Sequence, residues 1–307
     1  MRKLSEKFMK DLKSPDGVLH PILDRIQNDH TLMLAIREDY INIYYRGGNI
    51  LKLTEHSNGY FQTFFDEKYN KNKFPILDSP DEICNQEDAK TWVDSFSSRK
   101  NVMDNYFSEI PKAEREFQQL LARENNSSTI SNESEYFVSD IEFTEPYARF
   151  DIIAIRWLAS QRKNGGKCVP ALIEMKYGDG ALGGSAGLLK HLHDMDKLFS
   201  SKENSKCLYE TMESQFEQLD YLGLLNFNKG TSNAKVRINF DEKPEVIFIL
   251  ANHNPRSPKL KTILSDSEFE KYAESQLFDL KFYVASFAGY SLHAKCMLPL
   301  SEFKKLL

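Results

Sequence analysis

No apolar run in this 307-residue chain is long enough to cross a bilayer. The longest spans Val246 to Ala251, far short of the roughly 18–20 residues that a membrane helix needs. Cysteine is scarce too: Cys84, Cys168, Cys207 and Cys296 lie dozens of residues apart, with no CxxC or CxxxH spacing. That argues against a structural zinc site and suits a reduced, cytoplasmic protein. Basic charge is not in excess. Forty Lys and Arg stand against 45 Asp and Glu, for a net charge of −5, which excludes a general nucleic-acid coat but leaves room for a local basic groove. The opening MRKLSEKFMKDLK mixes acids with bases and lacks an apolar h-region, so no signal peptide is expected. Internal repeats, low-complexity tracts, P-loops and dinucleotide fingerprints are all missing.

What remains is ample material for a core, 41% hydrophobic and 12% aromatic, and wholesale disorder is excluded. A prior of about 150 residues per domain suggests two domains. Residues 1–30 read as short amphipathic helices broken by SPDG and by Pro21. Runs at 32–36, 40–45, 50–54 and 60–65 are rich in Ile, Tyr, Leu and Phe and are separated by turn residues. They read as an antiparallel meander, whose aromatics (Tyr40, Tyr44, Tyr45, Tyr60, Phe61, Phe64, Phe65) could stack unpaired bases but more readily build a core. A polar connection and a helix over 89–107 follow. The expected domains are therefore 1–108, helices plus meander, and 109–307.

From Pro111 the order is helix (AEREFQQLLAREN), strands at 136–143, 148–157 and 169–178, helices near 186–199 and 207–225, and a buried strand at 246–251. A short helix near 266–276, a strand near 280–287 and a helix from Ser301 complete an α/β or α+β sandwich.

The chemistry gathers on two of these strands. Glu174 and Lys176 are two apart and project from one face, while Ile173 and Met175 face the other way. If the strands pair through the 158–168 turn, Asp151 lies beside Glu174. Two carboxylates and a lysine then share one corner of the sheet. Mg²⁺ takes hard oxygen ligands, commonly one or two carboxylates with waters and phosphate. A neighbouring lysine orients water or offsets phosphoryl charge, so the grouping points to phosphodiester hydrolysis. Glu-x-Lys recurs at Glu302-Phe303-Lys304, where no upstream strand Asp accompanies it and a solvated helix face is expected.

ARFDIIAI and ALIEMKYG, preceded by AEREFQQLLAREN, together resemble the PD-(D/E)XK nuclease superfamily, most closely its archaeal Holliday-junction resolvase branch. The resemblance covers roughly residues 111–251, and Phe150 replaces the proline before the strand Asp. It implies a restriction-endonuclease-like mixed central sheet of about four strands flanked by helices. It also implies Asp151 and Glu174 as ligands of Mg²⁺, with Mn²⁺ able to substitute, Lys176 as the water-assisting cation, and Glu114 (or Glu116) as a helix-borne auxiliary ligand. The substrate implied is nucleic acid, DNA before RNA. The alternative is a nuclease fold that binds or assembles without turnover. A homodimer stays open.

Several further groups bear on binding. Arg149, Arg156, Arg162, Lys163 and Lys167 form a local basic excess suited to tracking phosphates, though equally to a solubilising hairpin. GGSAG, with Ser185, precedes a helix and could approach a phosphate. Lys190, His191 and Lys197 on that helix are candidate backbone contacts, although His191 also reads as an ordinary surface histidine. RSPKLK at 256–261 is a second basic loop. Asp140 and Glu142, at alternate positions on the preceding strand, could add a further carboxylate but read more readily as a solvated strand face.

Overall fold

The computed structural model describes residues 2–127, 134–146, 148–164, 168–184, 187–227, 236–254, 256–285 and 292–307. Two compact units form. One comprises Met1–Gln119 with Gln218–Leu224, the other Leu120–Glu217 with Leu225–Leu307, where a single cut after residue 108 was expected.

In the first unit, Ser5 caps α1 (Glu6–Lys13) by accepting from the Phe8 N–H at 2.9 Å. Pro21 does not break a helix; it sits in the first turn of α2 (His20–Asn28), where its missing N–H costs nothing. The meander is present as β1 (Leu32–Ile36), β2 (Tyr40–Tyr45), β3 (Gly48–Glu55) and β4 (Phe61–Phe64), with β5 (Glu82–Ile83) added at the edge. Arg46 and Gly47 join β2 to β3 with φ of 49° and 72°, the left-handed pair of a type I′ hairpin turn. Phe61 and Tyr44 enter the core as expected, but Phe64 is exposed. The expected helix extends over Gln86–Glu109 as α3, opened by an Asn85–Asp88 capping box. It buries Ala89, Trp92, Phe96, Met103 and Phe107 along one stripe.

The second unit carries a six-stranded mixed sheet. Its strands are β6 (Tyr136–Glu145), β7 (Ala148–Arg156), β8 (Val169–Tyr177), β9 (Glu245–Ala251), β10 (Asp279–Val284) and β11 (Leu298–Pro299), in the order β11-β10-β9-β8-β7-β6. β6, β7 and β8 are antiparallel, β8, β9 and β10 run parallel, and β11 returns antiparallel. The parallel connections hold α5 (Leu188–Ser200) and α6 (Lys202–Tyr221), then α7 (Lys259–Leu264) and α8 (Ser267–Ala273); α9 (Leu300–Lys304) ends the chain. α4 (Ala113–Asn126) precedes the sheet in sequence. Buried throughout, β9 reads as the continuous apolar run of a covered parallel strand. RSPKLK is no basic loop, because its last residues begin α7.

The turn between β7 and β8 contains a 3₁₀ segment, Ala159–Asn164. Arg162 there is only 2% exposed. It donates to the carbonyls of Ser134 and Trp157 and stacks on Phe137 and Phe227 at 5.1 and 5.7 Å. Arg156 is paired with Glu245 at 2.9 Å. Two members of the expected phosphate-tracking edge are therefore committed to the fold; Lys167 and the Lys163 side chain lie outside the described residues. Arg162→Ala is expected to strip donors from two buried carbonyls and destabilise the protein by about 2–4 kcal/mol. A urea midpoint within error of wild type would contradict that role.

Candidate functional site

The β7–β8 ladder ends at Ile152 opposite Ile173, so Asp151 and Glu174 are the next facing positions. There the side chains take over from the backbone. The Met175 N–H donates to Asp151 Oδ2 at 2.9 Å, and the Asp151 N–H donates to Glu174 Oε1 at 3.4 Å. Lys176, on the same face as Glu174, brings its Nζ to 3.6 Å from Glu174 Oε2. The long gap between the two strand motifs is thus absorbed by the 3₁₀ turn, and the expected juxtaposition of Asp151, Glu174 and Lys176 is present.

This is not a surface ion pair. Glu174 is 0% and Lys176 5% exposed. Burial, and then the negative charge of Glu174, push the Asp151 carboxyl up to about 7, although Lys176 and the Met175 N–H pull it down. The charge of Glu174 acts directly on the half-buried Asp151 carboxyl, so the pair disfavours a second negative charge.

His191 joins the cluster from α5. Its Nε2 is 3.0 Å from Lys176 Nζ and its Nδ1 is 3.2 Å from Glu174 Oε2. It is therefore turned toward the carboxylate rather than outward as a surface histidine or backbone contact. The available signal was helical spacing: His191 follows Leu188 by three and precedes Met195 by four, and both are buried.

Other expected residues fall elsewhere. Lys190 is paired with Asp194 on the exposed side of α5. Arg149, 74% exposed, stands 4.0 Å from Glu142. Glu114 is in the first unit, at the start of α4, and its fallback Glu116 is paired with Arg46 at 2.9 Å. Asp140 is buried, not solvated: it accepts from Gln215 at 3.2 Å and from the Ile141 N–H at 2.8 Å. A bulge between Val138 and Asp140 shifts the register at this point, which a strict alternation of faces does not anticipate. Ser185 lies outside the described residues, while Gly187 caps α5 without a side-chain hydrogen bond.

The carboxyl ends of β8 and β9 are braced by a contact that the sequence did not suggest. Asp179 lies 2.9 Å from His253 Nδ1 and accepts from the Asn254 N–H at 3.3 Å. Burial pushes the Asp179 carboxyl up, but hydrogen bonds from Ser257, His253 and Asn254 outweigh it and hold the group below its ordinary value. A cavity of about 340 Å³ opens nearby in the chain, lined by Leu182, Gly184, Leu188, Thr262, Ile263 and Asp266.

Among the described residues, no group of three or more His, Cys, Asp or Glu is disposed to hold a metal ion. The donor set of Asp151 and Glu174 fits Mg²⁺ nonetheless. Two hard carboxylates on facing strand positions, their repulsion only partly offset by Lys176, suit a cation whose remaining positions go to water and substrate. Among the described residues no helix is long and apolar enough to cross a membrane. No family model, curated protein or solved structure matches the chain.

Proposed function

We propose that this protein is a Mg²⁺-dependent nuclease, hydrolysing phosphodiester bonds of nucleic acid, with DNA the favoured polymer. The observation that carries this reading is half-buried Asp151, whose N–H donates to buried Glu174 at 3.4 Å, with Lys176 3.6 Å from Glu174. The likeness of these strand motifs to the PD-(D/E)XK superfamily supports it, as does a mixed sheet flanked by helices. A restriction-endonuclease-like fold is accordingly the finer reading of the second unit, and the free cysteines suit the cytoplasm.

Asp151 and Glu174 would hold Mg²⁺, which when bound supplies Lewis acidity toward water and the phosphoryl oxygens. Lys176 sets a fixed positive charge beside the carboxylates, where it can meet charge developing on phosphate. Burial keeps solvent from screening that charge. Arg149, 74% exposed on β7, is a candidate cation for meeting a polymer's backbone. Net acidity then predicts modest affinity that weakens with salt.

A second reading rests on a specific observation. Complete burial of Glu174 suits a nuclease-like fold that binds nucleic acid or assembles without turnover. A panel of single- and double-stranded DNA and RNA, incubated with Mg²⁺ and with EDTA, separates the two. Cleavage is expected in Mg²⁺ alone, falling on the order of 10²-fold or more in folded Lys176→Met. Metal binding without cleavage of any substrate favours the second reading.

A further inference from the structure

The first unit holds a buried cation that no anion answers. Arg99, on α3, is only 7% exposed, and buried charges in proteins are ordinarily paired. Its guanidinium lies 4.1 Å from the centre of the Trp92 ring and 4.6 Å from that of Phe65, contacts that offset part of the cost of desolvation. Nε donates to Ser95 Oγ at 3.0 Å and Nη2 to Ser79 Oγ at 2.5 Å. Both acceptors are neutral. Among the described residues no carboxylate forms an ion pair with Arg99, including Asp78 and Asp81, which flank Ser79 and Pro80 and are exposed. Burial pulls the guanidinium down to about 10, so it still carries its charge at neutral pH.

Donors are left over around this charge. A guanidinium has five N–H groups, and the two serine bonds use two of them. Nη1 makes no hydrogen bond among the described residues and is not sealed from solvent. Ser79 accepts from Nη2 and keeps its own hydroxyl proton uncommitted among those residues. Its segment is clamped in place: Trp92 Nε1 and Thr63 Oγ1 donate to the Pro80 carbonyl at 2.7 and 3.0 Å, and the Leu77 N–H donates to Ser98 Oγ at 3.1 Å.

We propose that Arg99 and Ser79 form an oxyanion site that takes a phosphate group. A planar fork with unspent donors, a hydroxyl donor beside it and no acceptor suits a tetrahedral oxyanion, and a bound phosphate would pair the buried charge. Because the two rings already hold the guanidinium, little side-chain freedom remains to be lost on binding. The site belongs to the first unit and does not depend on the nuclease reading. Two sources share the chemistry, a free phosphate or monoester and the backbone of a nucleic acid.

Thermal melting of the full-length protein in EDTA tests the site without any activity. In roughly 50 mM inorganic phosphate, against chloride of equal ionic strength, wild type is expected to gain about 2–5 °C. Arg99→Met and Ser79→Ala are expected to lose that gain. Should Arg99→Met fail to fold, Arg99→Lys, which keeps the charge but not the fork, decides together with Ser79→Ala. A second arm assigns the source, by anisotropy of a labelled single-stranded oligodeoxynucleotide without terminal phosphate, again in EDTA. Binding weakened on the order of tenfold in Ser79→Ala assigns the site to a nucleic-acid backbone. Unchanged oligonucleotide binding, with the phosphate gain lost, assigns it to a free phosphate or monoester. If wild type cleaves no nucleic acid, the nuclease reading fails and the phosphate melts still decide this inference. No gain in wild type overturns the proposal. So does an equal gain in wild type and variants, which is the general effect of an excluded salt.

Discussion

Asp151→Asn is expected to be more stable than wild type at pH 8, although it removes a group placed at the centre of the site. The unfolded carboxyl titrates near 3.8, whereas burial and the charge of Glu174 push the folded one up to about 7. The folded state therefore binds a proton that the unfolded state has released. Stability from this group is fully present below pH 3.8 and is lost as pH rises through about 7. At about 1.4 kcal/mol per unit, with Lys176 and residual solvent offsetting part of it, the ionised carboxylate costs on the order of 2–4 kcal/mol at pH 8. An asparagine keeps an acceptor for the Met175 N–H and carries no charge. Its melting temperature in EDTA should exceed that of wild type by about 5–10 °C at pH 8, and the difference should close by pH 4. Wild type should regain the difference when Mn²⁺ is added, because a bound cation stabilises the folded state by mass action. Lower stability of Asp151→Asn at pH 8 would mean that the carboxylate is comfortably ionised, and that the contact with Glu174 does not act as described.

The opposite expectation holds at the other end of the sheet. Glu245, buried at the start of β9, accepts from the Tyr136 hydroxyl at 2.7 Å and is ion-paired to Lys281 and, at 2.9 Å, to Arg156. One carboxylate thus ties β6, β7 and β10 to β9. Burial and this negative charge push the Tyr136 phenol far above its ordinary value, so it remains a donor. Glu245→Ala strands a buried hydroxyl and two cations that can only partly rehydrate, with an expected loss of about 3 kcal/mol or more. Glu245→Gln keeps the tyrosine bond and should lose roughly half of that. Denaturant unfolding measures both. A loss below about 1 kcal/mol in the alanine variant would place the cluster with solvent-screened surface pairs.

Residues whose role depends on short-range periodicity were legible before folding. Alternation placed Glu174 with Lys176 and sent Met175 to the core; the meander and most helices followed from turn residues and apolar spacing. Residues whose role depends on long-range contact were not. Arg162 reads as exposed because charged turn residues usually are, yet Phe137, Phe227 and two carbonyls enclose it. His191 meets Lys176 across 15 positions, and no local rule links a helical ring to a strand ammonium. The parallel alignment of β8 with β9 is set by what covers both faces. α7 and β11 are too short to leave a periodic signal.

The central claim is that Asp151 and Glu174 together form a divalent-cation site. Titration calorimetry of Mn²⁺ into wild type, Asp151→Asn and Glu174→Gln, each checked for folding, tests it without knowledge of the substrate. The account predicts saturable binding in wild type that tightens as pH rises through about 7 and is lost in both variants. Equal binding in all three proteins would contradict it.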